Sequence, residues 1–303
     1  MLRRISILGG DLRQRWLAEE LRQCGFEVAV YQVPELENTF SSLQQTVKSA
    51  QALALPMPAL TKDGWIRADP QPLPLIPVLE SLRPGTFVFG GPFTSAAETL
   101  AQYPVQLSDY TLSPALAAGN AVPTAEGAIQ LAMERLPITL SGSRCLVIGF
   151  GKIGKALSLR LRSLCAEVTV SARRPEDCAL AEALGLQSDR TGVYFRGLRQ
   201  YDCVFNTVPA PVLLEEHIAA LRPDCLIVDL ASVPGGLAPG LTPPERPVYL
   251  TAPGLPGRVA PAIELLCRNL TRPDRSLPQG NSFAVGFLRY RCRLIIPDVR
   301  IQS

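Results

Sequence analysis

The sequence contains one histidine, His217, in 303 residues. A histidine-based metal site is excluded by that count. The histidine–carboxylate acid/base pair of 2-hydroxy-acid dehydrogenases is poorly supported for the same reason. His217 stands in Leu213-Leu214-Glu215-Glu216-His217-Ile218, a helix start away from the strand ends, which predicts a structural role. Excess charge is also scarce: 30 basic and 27 acidic side chains leave a net +3, too little to argue for a nucleic-acid partner. Six arginines and two aspartates in 271–303 account for that surplus, so the main body is nearly neutral. None of the eight cysteines forms a C-x-x-C pair, and Cys145, Cys203 and Cys225 sit inside apolar runs. Buried thiols in a reducing compartment fit this better than a disulfide framework or a zinc site. No apolar run approaches the ~20 residues that cross a bilayer. The N-terminal stretch Ile5 to Leu8 is cut short by Gly9-Gly10-Asp11, so no signal-peptide core follows. A cytoplasmic protein without a membrane partner is expected.

What is present is a chain rich enough in apolar residues, at 47%, for a core in each half. The 28 prolines are scattered among apolar runs, which indicates rigid loops and not a low-complexity tract. Short apolar runs alternate with helical patterns along residues 1–270, the signature of α/β domains with parallel sheets. Residues 1–121 form the first expected domain, opening on Ile5-Ser6-Ile7-Leu8, Gly9-Gly10 and a helix from about Asp11 to Cys24. The stretch Pro56 to Pro77 lacks periodicity and is expected to be a loop. Pro123 suits a first helical position, so 122–136 is expected as an interdomain helix stopped by Pro137. Residues 137–257 form the second expected domain, 258–270 a helix returning to the first, and 271–303 a tail.

The second domain carries the most informative motif. Gly149-Phe150-Gly151-Lys152-Ile153-Gly154 is a G-x-G-x-x-G that follows the buried strand Arg144–Ile148 and opens a helix. In such a turn the first glycine allows the tight bend. The second admits a pyrophosphate to the backbone, and the third lets helix and strand pack closely. The helix N-terminus offers unpaired N–H groups to the phosphates. A dinucleotide site follows, the alternative being a glycine-rich packing turn.

The end of the next strand reads Ser171-Ala172-Arg173-Arg174, without the carboxylate that usually holds an NAD ribose. A serine hydroxyl and guanidinium forks suit a 2′-phosphate, so NADP is favoured over NAD unless both arginines are merely solvated. Asn206-Thr207-Val208-Pro209 and Asp229-Leu230-Ala231-Ser232 end two further strands. Asn206, Thr207, Val208, Pro209, Ala231 and Ser232 are therefore placed to line the nicotinamide half, or are ordinary polar turns. The first domain lacks the fingerprint, since Asp11 and Gln14 stand where glycines would be needed. Arg13, in its first helical turn, is either a partner for a substrate carboxylate or a solvated arginine.

These blocks together resemble the family of the dipicolinate synthase A subunit. The resemblance runs through Gly9-Gly10-Asp11-Leu12-Arg13-Gln14, Asn120-Ala121-Val122-Pro123-Thr124-Ala125-Glu126-Gly127 and the glycine fingerprint. It continues through Ala172-Arg173, Asn206–Pro209, Asp229–Ser232 with Pro234-Gly235-Gly236, and Ala252-Pro253-Gly254-Leu255-Pro256-Gly257. It covers about residues 3–262. It implies a Rossmann-like substrate-side domain and an NAD(P)-binding Rossmann domain, with a flavoprotein-like B subunit for a partner. It also implies oxidation of a dihydrodipicolinate-type intermediate of lysine biosynthesis to pyridine-2,6-dicarboxylate during sporulation. Two features depart from the family. Ala262-Ile263 stands where Lys-Thr is common, so a role of that lysine is absent or falls to Arg258, and 271–303 matches nothing in the family.

The expected activity is NADP-dependent oxidation of a cyclic dicarboxylate. Arg13, Asn120, Thr124 and Arg258 are the candidates for its carboxylates, and Glu126 is the candidate for proton transfer. The coenzyme set is Gly149, Gly151, Lys152, Ile153, Gly154, Ser171, Arg173 and Arg174, with the strand-end residues named above. A 2-hydroxy-acid dehydrogenase and a non-catalytic NADP-binding regulatory subunit remain as alternatives, and the oligomeric state, including a homo-oligomer, stays open.

Overall fold

The computed structural model describes residues 2–191, 194–252, 254 and 255. Arg258, the expected helix over 258–270 and the tail 271–303 lie outside the described residues. The chain opens with strand β1 (Arg4–Leu8), helix α1 (Leu12–Gln23), β2 (Glu27–Tyr31) and α2 (Leu43–Lys48). It continues with β3 (Ala52–Ala54), α3 (Leu75–Ser81), β4 (Phe87–Gly90), α4 (Ala97–Leu100) and β5 (Gln106–Asp109). Helix α5 (Pro114–Arg135) follows. Next come β6 (Arg144–Ile148), α6 (Lys152–Ser163), β7 (Glu167–Ala172), α7 (Pro175–Ala183) and β8 (Gln187–Arg190). The last described elements are β9 (Cys203–Asn206), α8 (Glu215–Ala220), β10 (Leu226–Asp229) and β11 (Val248–Thr251).

These elements build two parallel sheets, ordered β2-β1-β3-β4-β5 and β11-β10-β9-β6-β7-β8. The fold is thus two α/β domains with parallel sheets, as the alternating pattern implied. Parallel strands are covered on both faces and so read as continuous apolar runs. In β6, Cys145 and Val147 enter the core shared with α5 and α6. Leu146 and Ile148 point to the opposite face and join Val204, Leu213 and Ile227. Each sheet reverses its strand order beside its first strand, between β1 and β3 and between β6 and β9. Ligands of such sheets bind beyond the carboxyl ends of the strands at those reversals. Each sheet thus offers one such crevice.

Helix α5 differs from the expected interdomain helix. It begins at Pro114, capped by the Ser113 side chain, and carries Pro123 in its interior and not at its start. An interior proline costs about 3 kcal/mol. Packing at both ends of the helix offsets this. Leu116 enters the first-domain core, while Ala125, Ala128, Ile129 and Ala132 enter the second. Burying one large aliphatic side chain contributes ~1.5–3 kcal/mol, so a few such contacts exceed the proline penalty. The stretch 56–77 is also more ordered than its composition suggests. Antiparallel bridges pair Leu60 with Ile66 and Ile66 with Leu73, and α3 starts at Leu75.

Candidate coenzyme and substrate site

The turn between β6 and α6 has the geometry a pyrophosphate requires. Gly149 adopts φ +97°, and a side chain there would collide with the Thr207 hydroxyl. A side chain at Gly154 would collide with the Gly149 carbonyl, so helix and strand can approach only because both residues are glycines. At Gly151, by contrast, an added Cβ would meet nothing within 4 Å. The open side of the turn lies at the helix N-terminus, where unpaired N–H groups and the partial positive charge favour an anion. Exposed Lys152 stands at the first position of α6, and half-buried Ile153 packs against the core below. The residues present fit a dinucleotide phosphate.

The residues expected at a ribose 2′-phosphate separate in the structure. Ser171 is fully buried, and its Oγ lies 3.2 Å from Thr191 Oγ1. Its hydroxyl ties β7 to the exit of β8 and is not exposed as a phosphate donor would be, which corrects that expectation. Arg174 is exposed but committed to Asp177 at 2.8 Å and Glu176 at 3.6 Å. Arg173 is exposed and makes no ion pair among the described residues. A further arginine joins it. Strand β8 pairs with β7 so that Arg190 lies opposite Ala172, next to Arg173, also exposed and without an ion pair among the described residues. Sequence reasoning missed Arg190 because only the β7–β8 pairing brings it there.

At the ends of β9 and β10, expected to line a nicotinamide, Thr207 and Val208 are half-buried beside Gly149, and the Thr207 hydroxyl donates to the Ile148 carbonyl at 2.9 Å. Pro209 and Ser232 are exposed, whereas Ala231 is buried. Asn206 is completely buried and donates to the Asp229 carboxylate at 2.8 Å. Burial and the hydrogen bond to Asp229 push the Tyr249 phenol well above its ordinary pKa. His217 is buried at the start of α8, where its Nδ1 accepts from the Leu214 N–H at 3.2 Å. Among the described residues no His, Cys, Asp or Glu cluster could hold a metal ion.

The first-domain crevice is built differently. Gly9 and Gly10 both have positive φ, and the Gly10 N–H donates to the Arg67 carbonyl at 3.0 Å. A side chain at Gly9 would strike that same carbonyl, so this glycine pair serves packing of the 56–77 segment over β1. Asp11 caps α1 by accepting from the Arg13 N–H at 3.0 Å. The Arg13 side chain is 7% exposed and binds Asp11 through Nε and Nη2, at 2.7 Å for Nη2. Nη2 also donates to the Met57 carbonyl. Arg13 is therefore neither solvated nor wholly available, since Nη1 alone is left without a hydrogen bond among the described residues. Asn120 reaches the same place, with Nδ2 at 3.8 Å from the Met57 sulfur, and its buried Oδ1 has no partner among the described residues.

Two expected residues do not join them. The Thr124 hydroxyl donates to the Asn120 carbonyl at 2.7 Å within α5 and is buried there. Glu126 is half-exposed and paired with Arg160 of α6 at 3.2 Å. Two residues along a helix are about 200° of rotation. Glu126 thus faces away from Thr124, toward α6, and the structure does not bring it to the crevice.

Residues 4–111 match the family described as the N-terminal domain of the dipicolinate synthase A subunit. Over 268 residues the chain is 27% identical to the dipicolinate synthase A subunit of Bacillus subtilis strain 168, covering 85% of this chain and 90% of that protein. The crystal structure of the corresponding A subunit from Bacillus halodurans superposes with a TM-score of 0.76 at 24% identity, covering 89% of this chain and 98% of that one. The transhydrogenase from Sinorhizobium meliloti shares the fold with a TM-score of 0.64 at 16% identity, covering 88% and 91%.

Proposed function

We propose that this chain, which resembles the dipicolinate synthase A subunit over most of its length in sequence and in fold, is an NADP-dependent oxidoreductase acting on a cyclic dicarboxylate. The product is pyridine-2,6-dicarboxylate, formed from a dihydrodipicolinate-type ring in cooperation with a B subunit during sporulation. The observation that carries the reading is the β6–α6 turn, open at Gly151 and closed by glycine contacts at Gly149 and Gly154. NADP supplies a hydride acceptor when bound, and aromatisation of the ring provides driving force. Everything else falls to the protein.

The α6 N-terminus and Gly151 receive the pyrophosphate. Arg173 and Arg190 receive the 2′-phosphate. Thr207 and Val208 bound the floor beside Gly149, where the coenzyme passes toward the ends of β9 and β10. Across the cleft, Arg13 Nη1 and the Asn120 Nδ2 group donate to a ring carboxylate at the β1/β3 reversal. Asp11 and the Met57 carbonyl fix the guanidinium there, so little side-chain freedom is lost on binding. Fixed donors orient the ring over the coenzyme, and such orientation lowers the barrier to reaction.

The proposal is tested by mixing the chain, with and without a B subunit, with freshly generated dihydrodipicolinate precursor and NADP. Dipicolinate should form. Coenzyme binding without product under both conditions overturns the enzyme reading in favour of a regulatory NADP-binding subunit.

A further inference from the structure

Strands β9 and β10 end on Asn206 and Asp229, which lie opposite each other, and Thr251 at the end of β11 pairs with Asp229 on its other side. Asp229 is 1% exposed, and its carboxylate accepts four hydrogen bonds. Oδ1 accepts from Asn206 Nδ2 at 2.8 Å and from the Ala231 N–H at 3.1 Å. Oδ2 accepts from the Gly236 N–H at 2.8 Å and from the Tyr249 hydroxyl at 2.5 Å. Asn206 extends the network, since its Oδ1 accepts from the Val208 N–H and its Nδ2 donates to the Val208 carbonyl, both at 3.0 Å. A side chain at Gly236 would collide with Asn206 Nδ2, so glycine there lets the 231–236 loop close onto the strand ends. One buried carboxylate thus joins the exit of β9, the loop after β10 and strand β11.

The joined segments are the two that flank the nicotinamide position in the reading above. Thr207 and Val208 follow Asn206, and the loop between the Ala231 and Gly236 tethers carries Val233 at 86% exposure. Resting on that reading, we propose that Asp229 is the positioning residue for the nicotinamide half of the coenzyme. It holds the 206–208 and 231–236 backbones at the spacing the ring requires, while the adenosine half is held elsewhere, by α6 and the β7–β8 edge. A buried carboxylate with two acceptor oxygens suits four donors, and no neutral side chain of its size does. Asparagine there would turn its NH2 group toward either the Ala231 and Asn206 donors or the Gly236 N–H. In both orientations a buried N–H loses its acceptor.

The test compares two ligands on the full chain, NADP and adenosine 2′,5′-bisphosphate, which lacks the nicotinamide half. In Asp229→Asn, NADP affinity should fall about tenfold, the equivalent of ~1.4 kcal/mol, toward that of the fragment. Fragment affinity should stay at the wild-type value. Tyr249→Phe removes one donor and leaves every backbone N–H satisfied, so it keeps the comparison readable where the first variant fails to fold, with a smaller loss of the same kind. Equal loosening of both ligands, or no change in either, shows Asp229 to be structural only and overturns the assignment. Wild-type protein that binds neither ligand overturns the coenzyme reading and the assignment together.

Discussion

Arg190 at the end of β8 lies directly opposite Ala172 at the end of β7, which sets it beside Arg173 with no ion pair to either among the described residues. In the proposed coenzyme site these two guanidinium groups meet the ribose 2′-phosphate of NADP. A charge-assisted hydrogen bond contributes ~1.5–3 kcal/mol, so Arg173→Ala or Arg190→Ala should each weaken NADP about ten- to a hundredfold. NAD affinity should barely change. Equal dissociation constants for NADP and NAD in the wild type would show that both arginines serve only solvent.

Glu126 makes a contrasting case. Its pair with Arg160 is about half-exposed on one side and a third exposed on the other, a setting in which ion pairs contribute ~0–1 kcal/mol. Glu126→Gln should therefore keep full turnover and nearly the wild-type melting temperature. Loss of turnover in a folded Glu126→Gln protein would restore the carboxylate as a proton-transfer group.

Gly154 acts on the turn through packing. Ala at this position drives a methyl group into the Gly149 carbonyl, and overpacking of this kind costs about 1–3 kcal/mol. Gly154→Ala should lower the melting temperature and weaken both coenzymes to the same degree, read by calorimetry and by titration. Unchanged coenzyme affinity would mean the turn does not carry the phosphate.

The buried thiols give a pH signature. Burial pushes Cys145 from 9.0 up to about 11 and Cys225 up to about 12, and holds Cys203 well above its ordinary value. Below pH 9 these thiols are protonated in both folded and unfolded chains, so their contribution to stability is fully present. Between pH 9 and about 12 the unfolded chain ionises first, and that contribution is lost as pH rises through the folded values. Denaturant midpoints should fall across this window. In the folded protein, alkylation should label exposed Cys24 and Cys165 and spare Cys145, Cys203 and Cys225, as mass spectrometry can show. Rapid labelling of all five would contradict the burial.

The β6–α6 turn was legible because its chemistry is local, three glycines at fixed spacing between a strand and a helix. The two parallel sheets were legible for a related reason, since strands covered on both faces leave continuous apolar runs. Residues whose position depends on tertiary pairing were not. Arg190 is an isolated arginine in sequence and becomes informative only opposite Ala172. Ser171 looks like a phosphate donor until the β8 exit covers it with Thr191. Pro123 has the local appearance of a helix start, but packing of α5 against both domains extends the helix to Pro114. Arg13 stands in the first turn of α1 in sequence, but its engagement by Asp11 and Met57 follows from the 56–77 segment folding over β1.

The most direct measurement of the proposed function follows NADPH and dipicolinate together in one reaction that combines the chain, a dipicolinate synthase B subunit, the dihydrodipicolinate precursor and NADP. Both should appear at equal rates, one NADPH for each dipicolinate, and neither should form when NADP is omitted. Dipicolinate produced without NADPH, or NADPH produced without dipicolinate, would contradict it.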